Sequence, residues 1–88
     1  MMSWIIKRTD PFLRDIKKHR KNYELLQELD AKLRRLEEDP VVIGGELSGN
    51  LVGKRSTRLA AKFRLIFRIA EEEHTVYLIA IDHRGSVY

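Results

Sequence analysis

Residues 54–88 read KRSTRLAAKFRLIFRIAEEEHTVYLIAIDHRGSVY, and residues 63–69 within them, FRLIFRI, decide the fold. Phe63, Leu65, Phe67 and Ile69 alternate with Arg64, Ile66 and Arg68. Side chains on a strand switch faces at each residue, so the alternation predicts a strand with one apolar face and one face shared by Arg64 and Arg68. Lys54, Arg55, Arg58, Lys62, Arg64 and Arg68 fall within fifteen positions, and no Asp or Glu lies between Glu46 and Glu71. A few cations keep an ordinary strand face solvated. Six with no acid among them point instead to a surface that binds phosphate or an acidic partner.

Working outward, Thr75–Asp82 is a second strand, reached through the acidic turn Glu71-Glu72-Glu73-His74. On the other side Val52–Leu59 is a third, joined to Phe63 by a turn at Ala60-Ala61. Residues 41–53 form a glycine-bearing connection without the lysine and hydroxyl spacing of a phosphate-binding loop. The N-terminal half reads as one strand and two helices. Trp4, Ile5 and Ile6 favour a short strand over Ser3–Arg8. Asp10 is expected to cap a helix with Pro11 in its first position, carrying Phe12, Leu13 and Ile16 inward and ending near His19. Asn22 caps a second helix in which Leu25 or Leu26, Leu29, Leu33 and Leu36 repeat at three- and four-residue steps. Glu28–Lys32 and Asp30–Arg34 are favourable four-residue pairs there, and Asp39-Pro40 stops it. The expected architecture is α+β in the order β-α-α-β-β-β: a helical hairpin on one face of a mainly antiparallel sheet, the other face open.

The chain has 88 residues and is read as one domain, 1–88. Its charge is 17 basic against 13 acidic residues, and residues 1–46 are nearly balanced, so the excess belongs to the C-terminal half. There is no cysteine, hence no disulfide and no thiolate metal site. His19, His74 and His83 are isolated from one another and from carboxylates at ligand spacing, so no metal or cofactor is expected. The apolar run at the N-terminus is too short for a signal peptide or membrane span, and the expectation is a cytoplasmic protein with no membrane partner.

The strand K-F-R-L-I-F-R-I at 62–69, the acidic turn, the strand V-Y-L-I-A-I at 76–81 and then H-R-G-S-V-Y at 83–88 resemble the RelE/ParE superfamily, the toxins of type II toxin–antitoxin pairs. The resemblance implies a RelE-like fold and an endoribonuclease that cleaves mRNA, in the ribosome, without a metal. It implies as partners a cognate RelB-like antitoxin with an acidic helical segment, and operator DNA only through that antitoxin. It places Arg64 on the scissile phosphate, and Arg84 and Tyr88 in the active site, with Tyr88 stacking on a base. Arg58 lies where the family often carries a base-like lysine. Arginine stays protonated and is a poor general base, so Lys54, Lys62 or His83 is left to take the proton, with Arg55 and Arg68 also binding phosphate. Two other readings stay open: a ParE-like inhibitor of DNA gyrase, and a weakly catalytic homologue that only binds its antitoxin or nucleic acid.

Overall fold

The computed structural model describes residues 3–43, 45–46 and 53–83. Strand β1 (Ile5–Arg8) leads into helices α1 (Asp10–Lys18) and α2 (Tyr23–Glu38). A 3₁₀ turn at Pro40–Val42 precedes the two-residue strand β2 (Gly45–Glu46). Strands β3 (Arg55–Leu59), β4 (Phe63–Ala70) and β5 (Thr75–His83) follow, with a 3₁₀ turn at Glu71–Glu73 between the last two. The sheet order is β1-β5-β4-β3-β2. β1 runs parallel to β5, and every other pair is antiparallel. The α+β order expected from the sequence is the one found, with β2 as an addition that lies inside the connection at 41–53. Among the described residues no helix is long and apolar enough to cross a membrane.

The core forms between the helices and one sheet face. Phe12 comes from α1, Leu25, Leu29, Leu33 and Leu36 from α2, and Leu59, Leu65, Phe67, Val76, Leu78 and Ile81 from the sheet. Phe63 and Ile69 are half-buried at its margin. Of the two leucines open at the start of α2, Leu25 is the buried one, and Asn22 Oδ1 accepts from its backbone N–H at 3.2 Å.

Three local expectations are corrected. Thr9, not Asp10, is the N-cap of α1, and Asp10 begins the helix, placing Pro11 second. The Thr9 hydroxyl makes no cap bond; it donates to the Leu78 carbonyl at 2.7 Å, and the Thr9 N–H donates to the same oxygen at 3.2 Å. Glu28 accepts a hydrogen bond from the Ala60 N–H across the core's end. It thus holds the β3–β4 turn, where Ala60 has φ 54°, in place of the expected bond to Lys32. The Asp30–Arg34 pair does form, at 2.9 Å, but both side chains are mostly exposed, so it contributes only a few tenths of a kcal/mol, about 0.3–0.5. Third, β5 carries a bulge. Ile66 pairs with Ala80 and Phe67 with Leu78, leaving Ile79 unmatched. One extra residue resets the alternation, so Val76 and Leu78 point inward before it and Ile81 after it.

β1 covers only the first four residues of β5. Beyond Leu78 the edge is completed by Thr9 and by α1, where Asp15 Oδ2 accepts from the Ile81 N–H at 2.8 Å. At the other end of β1, the Ile5 N–H donates to the His74 carbonyl and the Trp4 N–H to the Glu37 carbonyl. The Trp4 and His74 rings stack there with centroids 4.1 Å apart.

Candidate nucleic-acid interface

The face of the sheet away from the helices follows from the register. Arg58 on β3 is directly opposite Arg64 on β4, and Arg64 is opposite Asp82 on β5. Two residues along, Ser56, Ile66 and Ala80 form a neutral row. Two further, Arg68 lies opposite Tyr77, which pairs with Lys7 on β1. The open face therefore carries two polar rows with Ile66 between them, itself only 2% exposed.

Like charges placed opposite one another on a sheet are unfavourable, and Arg58 facing Arg64 is such a pair. Two guanidiniums on facing positions supply planar, multi-donor groups suited to a phosphate. Asp82 completes that row. Sequence reading missed it because an unbroken alternation through Val76–Ile81 puts Asp82 on the covered side. Only the bulge at Ile79 turns it to the open face, and no local sequence signal marked the bulge. Lys7 was missed because β1 joins β5 from the far end of the chain, and Tyr77 because its place opposite Arg68 is set by the β4–β5 register.

The second row is held by its aromatic ring. The Arg68 guanidinium sits over the Tyr77 ring at 4.6 Å and the Lys7 ammonium at 5.9 Å. The Tyr77 hydroxyl donates to Glu73 at 2.5 Å. That bond to a carboxylate raises the Tyr77 pKa above its usual 10, helped by slight desolvation and by the negative charge of Glu73, and opposed by Arg68.

Not every expected site residue reaches this face. Arg55 pairs with Phe67 and lies on the helix side, donating to the Val41 carbonyl at 2.9 Å and the Ile43 carbonyl at 3.4 Å. Its place in the alternation of β3 is one step out from Ser56 and Arg58, so it braces the 3₁₀ turn and does not face a ligand over Arg64. His83 is likewise on the helix side: it pairs with Phe63, and the His19, Phe63 and His83 rings meet edge-on at 5.0 and 5.3 Å. Lys62 sits in the β3–β4 turn beside Asn22 and Glu24 at the start of α2. Lys54 immediately precedes β3. Arg84 and Tyr88 lie outside the described residues. Among the described residues no group of three His, Cys, Asp or Glu side chains is arranged to hold a metal ion.

The family model for the ParE toxin of the type II toxin–antitoxin system, parDE, matches residues 6–88. The chain belongs to this toxin family. Toxin RelG of Mycobacterium tuberculosis is 36% identical to it over 53 residues, and the match spans 60% of each chain. Among solved structures, the RelBE2 toxin–antitoxin complex of Mycobacterium tuberculosis contains a chain 28% identical to the toxin, with a TM-score of 0.72 over 98% of the toxin and 97% of that chain. The YoeB/ParE toxin from Agrobacterium tumefaciens shares the fold at 17% identity, with a TM-score of 0.78 over 91% of the toxin and 98% of that chain. YafQ from E. coli does so at 14% identity, with a TM-score of 0.77 over 91% and 92%. The toxin is thus a type II toxin of the RelE/ParE superfamily.

Proposed function

We propose that the toxin is an endoribonuclease that cleaves mRNA, with the ribosome as the setting in which the message is presented. The observation that carries this reading is the Arg58–Arg64–Asp82 row on the open face. RNA cleaves when its 2′-OH attacks the neighbouring phosphate. That step needs a proton acceptor for the hydroxyl, donors for the charge that grows on the phosphate and a proton for the departing 5′ oxygen. It proceeds without a metal. Arg58 and Arg64 supply the donors. With His83 turned to the helix side, the acceptor nearest Arg64 in the register is Asp82, ahead of Lys62 and of Lys54 further along the face. Arg84 and Tyr88 enter through the resemblance alone, as a further phosphate donor and a stacking platform for a base.

By its likeness to the chain of the RelBE2 complex, the toxin takes a cognate antitoxin. An acidic, helical antitoxin segment complements the same cationic surface and folds on it. The match to the ParE family model favours one other reading, inhibition of DNA gyrase. Brief induction in cells, with mRNA 5′ ends mapped and plasmid supercoiling measured in parallel, separates the two. New 5′ ends inside coding regions that disappear in Arg64→Ala support the ribonuclease. Relaxed plasmids with intact messages assign the gyrase role.

A further inference from the structure

We propose that Arg68, Tyr77 and Lys7 form a second phosphate-binding subsite for the same RNA strand, so that the message lies along β4 from one row to the other. The inference rests on the ribonuclease reading and adds to it a course for the strand along β4 and two anion-binding residues, Arg68 and Lys7, positioned by the Tyr77 ring.

Three observations carry it. The first is pre-organisation. The Arg68 guanidinium lies on the Tyr77 ring, and the Tyr77 hydroxyl is fixed by Glu73. A long side chain that is already held loses less freedom on binding an anion. The second is unspent donor capacity. Arg55 gives its guanidinium to two carbonyls on the other face, whereas Arg68 and Lys7 make no hydrogen bond or ion pair among the described residues. Stacking on the ring occupies the guanidinium face and leaves its edge donors for a phosphate. The third is spacing. Arg64 and Arg68 are four residues apart on one strand, about 13 Å at ~3.3 Å per residue. A single strand covers that distance in about four nucleotides at ~3.4 Å per stacked step, or in fewer when extended. The neutral row of Ser56, Ile66 and Ala80 separates the two anion positions, and Lys54, one residue before β3, extends the second row by alternation. The acidic turn Glu71–Glu73 closes the face just beyond Arg68. It repels a polyanion, which sets the subsite as the final binding position of the strand at that end.

The test uses purified toxin and uncleavable 2′-O-methyl RNA of three and ten nucleotides, with affinity measured across a salt series. Arg68→Ala and Lys7→Ala are compared with Arg14→Ala, an exposed α1 arginine that serves as the charge-matched control. In Arg68→Ala and in Lys7→Ala the decamer is expected to lose affinity. Its slope of log K against log salt is expected to become shallower by about 0.7 for each phosphate the variant no longer neutralises. The trimer, too short to join both rows, is expected to change less than about twofold, and Arg14→Ala to resemble wild type. The inference is overturned if Arg68→Ala and Lys7→Ala bind the decamer as wild type does, or if Arg14→Ala weakens binding as much. It is also overturned if the losses appear with a Glu-rich peptide and not with RNA, which assigns the row to protein docking. Loss in Arg64→Ala but not in Arg68→Ala removes the second subsite and keeps the ribonuclease reading. No RNA binding by wild type removes both.

Discussion

Arg64 stands between Arg58 and Asp82 in the register, and the side chains around it make distinct predictions. Arg64→Ala takes a charge-stabilising donor from the phosphate, which typically costs about 10²–10³ in rate. Cleavage should fall by that factor, read as loss of new mRNA 5′ ends, while circular dichroism stays native. Asp82→Asn keeps the shape of the side chain and removes a proton acceptor. The rate should fall by about 10²-fold or more. A rate unchanged by this substitution returns the acceptor role to Lys62 or Lys54. His83→Gln should leave the rate within about threefold, because His83 faces Phe63 and the helices. Tyr77 makes a prediction of another kind. Its folded-state pKa is raised by Glu73, so the bond contributes stability that is fully present below the ordinary phenol pKa and is lost as pH rises through the higher folded value. Ultraviolet titration should show Tyr77 ionising above the ordinary phenol pKa, and Glu73→Gln should move it back.

At the scale of elements, β4 and α2 were legible because each obeys one period throughout. Phe67 is fully buried where the two-residue alternation puts it, and Leu25, Leu29, Leu33 and Leu36 are buried where the helical repeat puts them. Phe67→Ala should therefore destabilise by about 3–5 kcal/mol, measured by urea unfolding. What could not be read locally is what depends on partners far away in sequence. Thr9 bonds to Leu78, Asp15 to Ile81 and Glu28 to Ala60, each a group far away in sequence. The bulge at Ile79 belongs to the same class, since it is defined only by the pairing with β4. It is also why the candidate site was half legible: Arg58, Arg64 and Arg68 share a face as the alternation requires, while Asp82, Tyr77 and Lys7 arrive through strand pairing. Asp15→Ala leaves the Ile81 N–H without its acceptor, so the domain should lose about 1–3 kcal/mol. Hydrogen exchange at Ile81 should accelerate more than at Leu65, which keeps its place inside the ladder.

Over the whole molecule, an 88-residue chain buries a modest share of its surface, and it keeps Ile5, Leu13, Tyr23, Val41 and Val42 exposed. A cleft of about 230 Å³ between Phe12, Leu13 and Ile16 on α1 and Leu26, Leu29 and Leu33 on α2 adds to that apolar exterior. A partner that binds only the folded state stabilises it by mass action, about 2.7 kcal/mol at a hundredfold excess over Kd. The Tm of the toxin should rise with antitoxin concentration, and the rise should shrink in high salt if the binding is mainly to the cationic face. The stack of Trp4 on His74 bears on how all of this is watched. It involves the single tryptophan of the chain, and it sits where β1 meets the turn that precedes β5, close to the row that holds Lys7 and Tyr77. The molecule thus carries an intrinsic fluorophore at the opposite end of the β4–β5 pair from Arg64. Its emission reports whether the first strand is seated, without any label that would perturb the basic face.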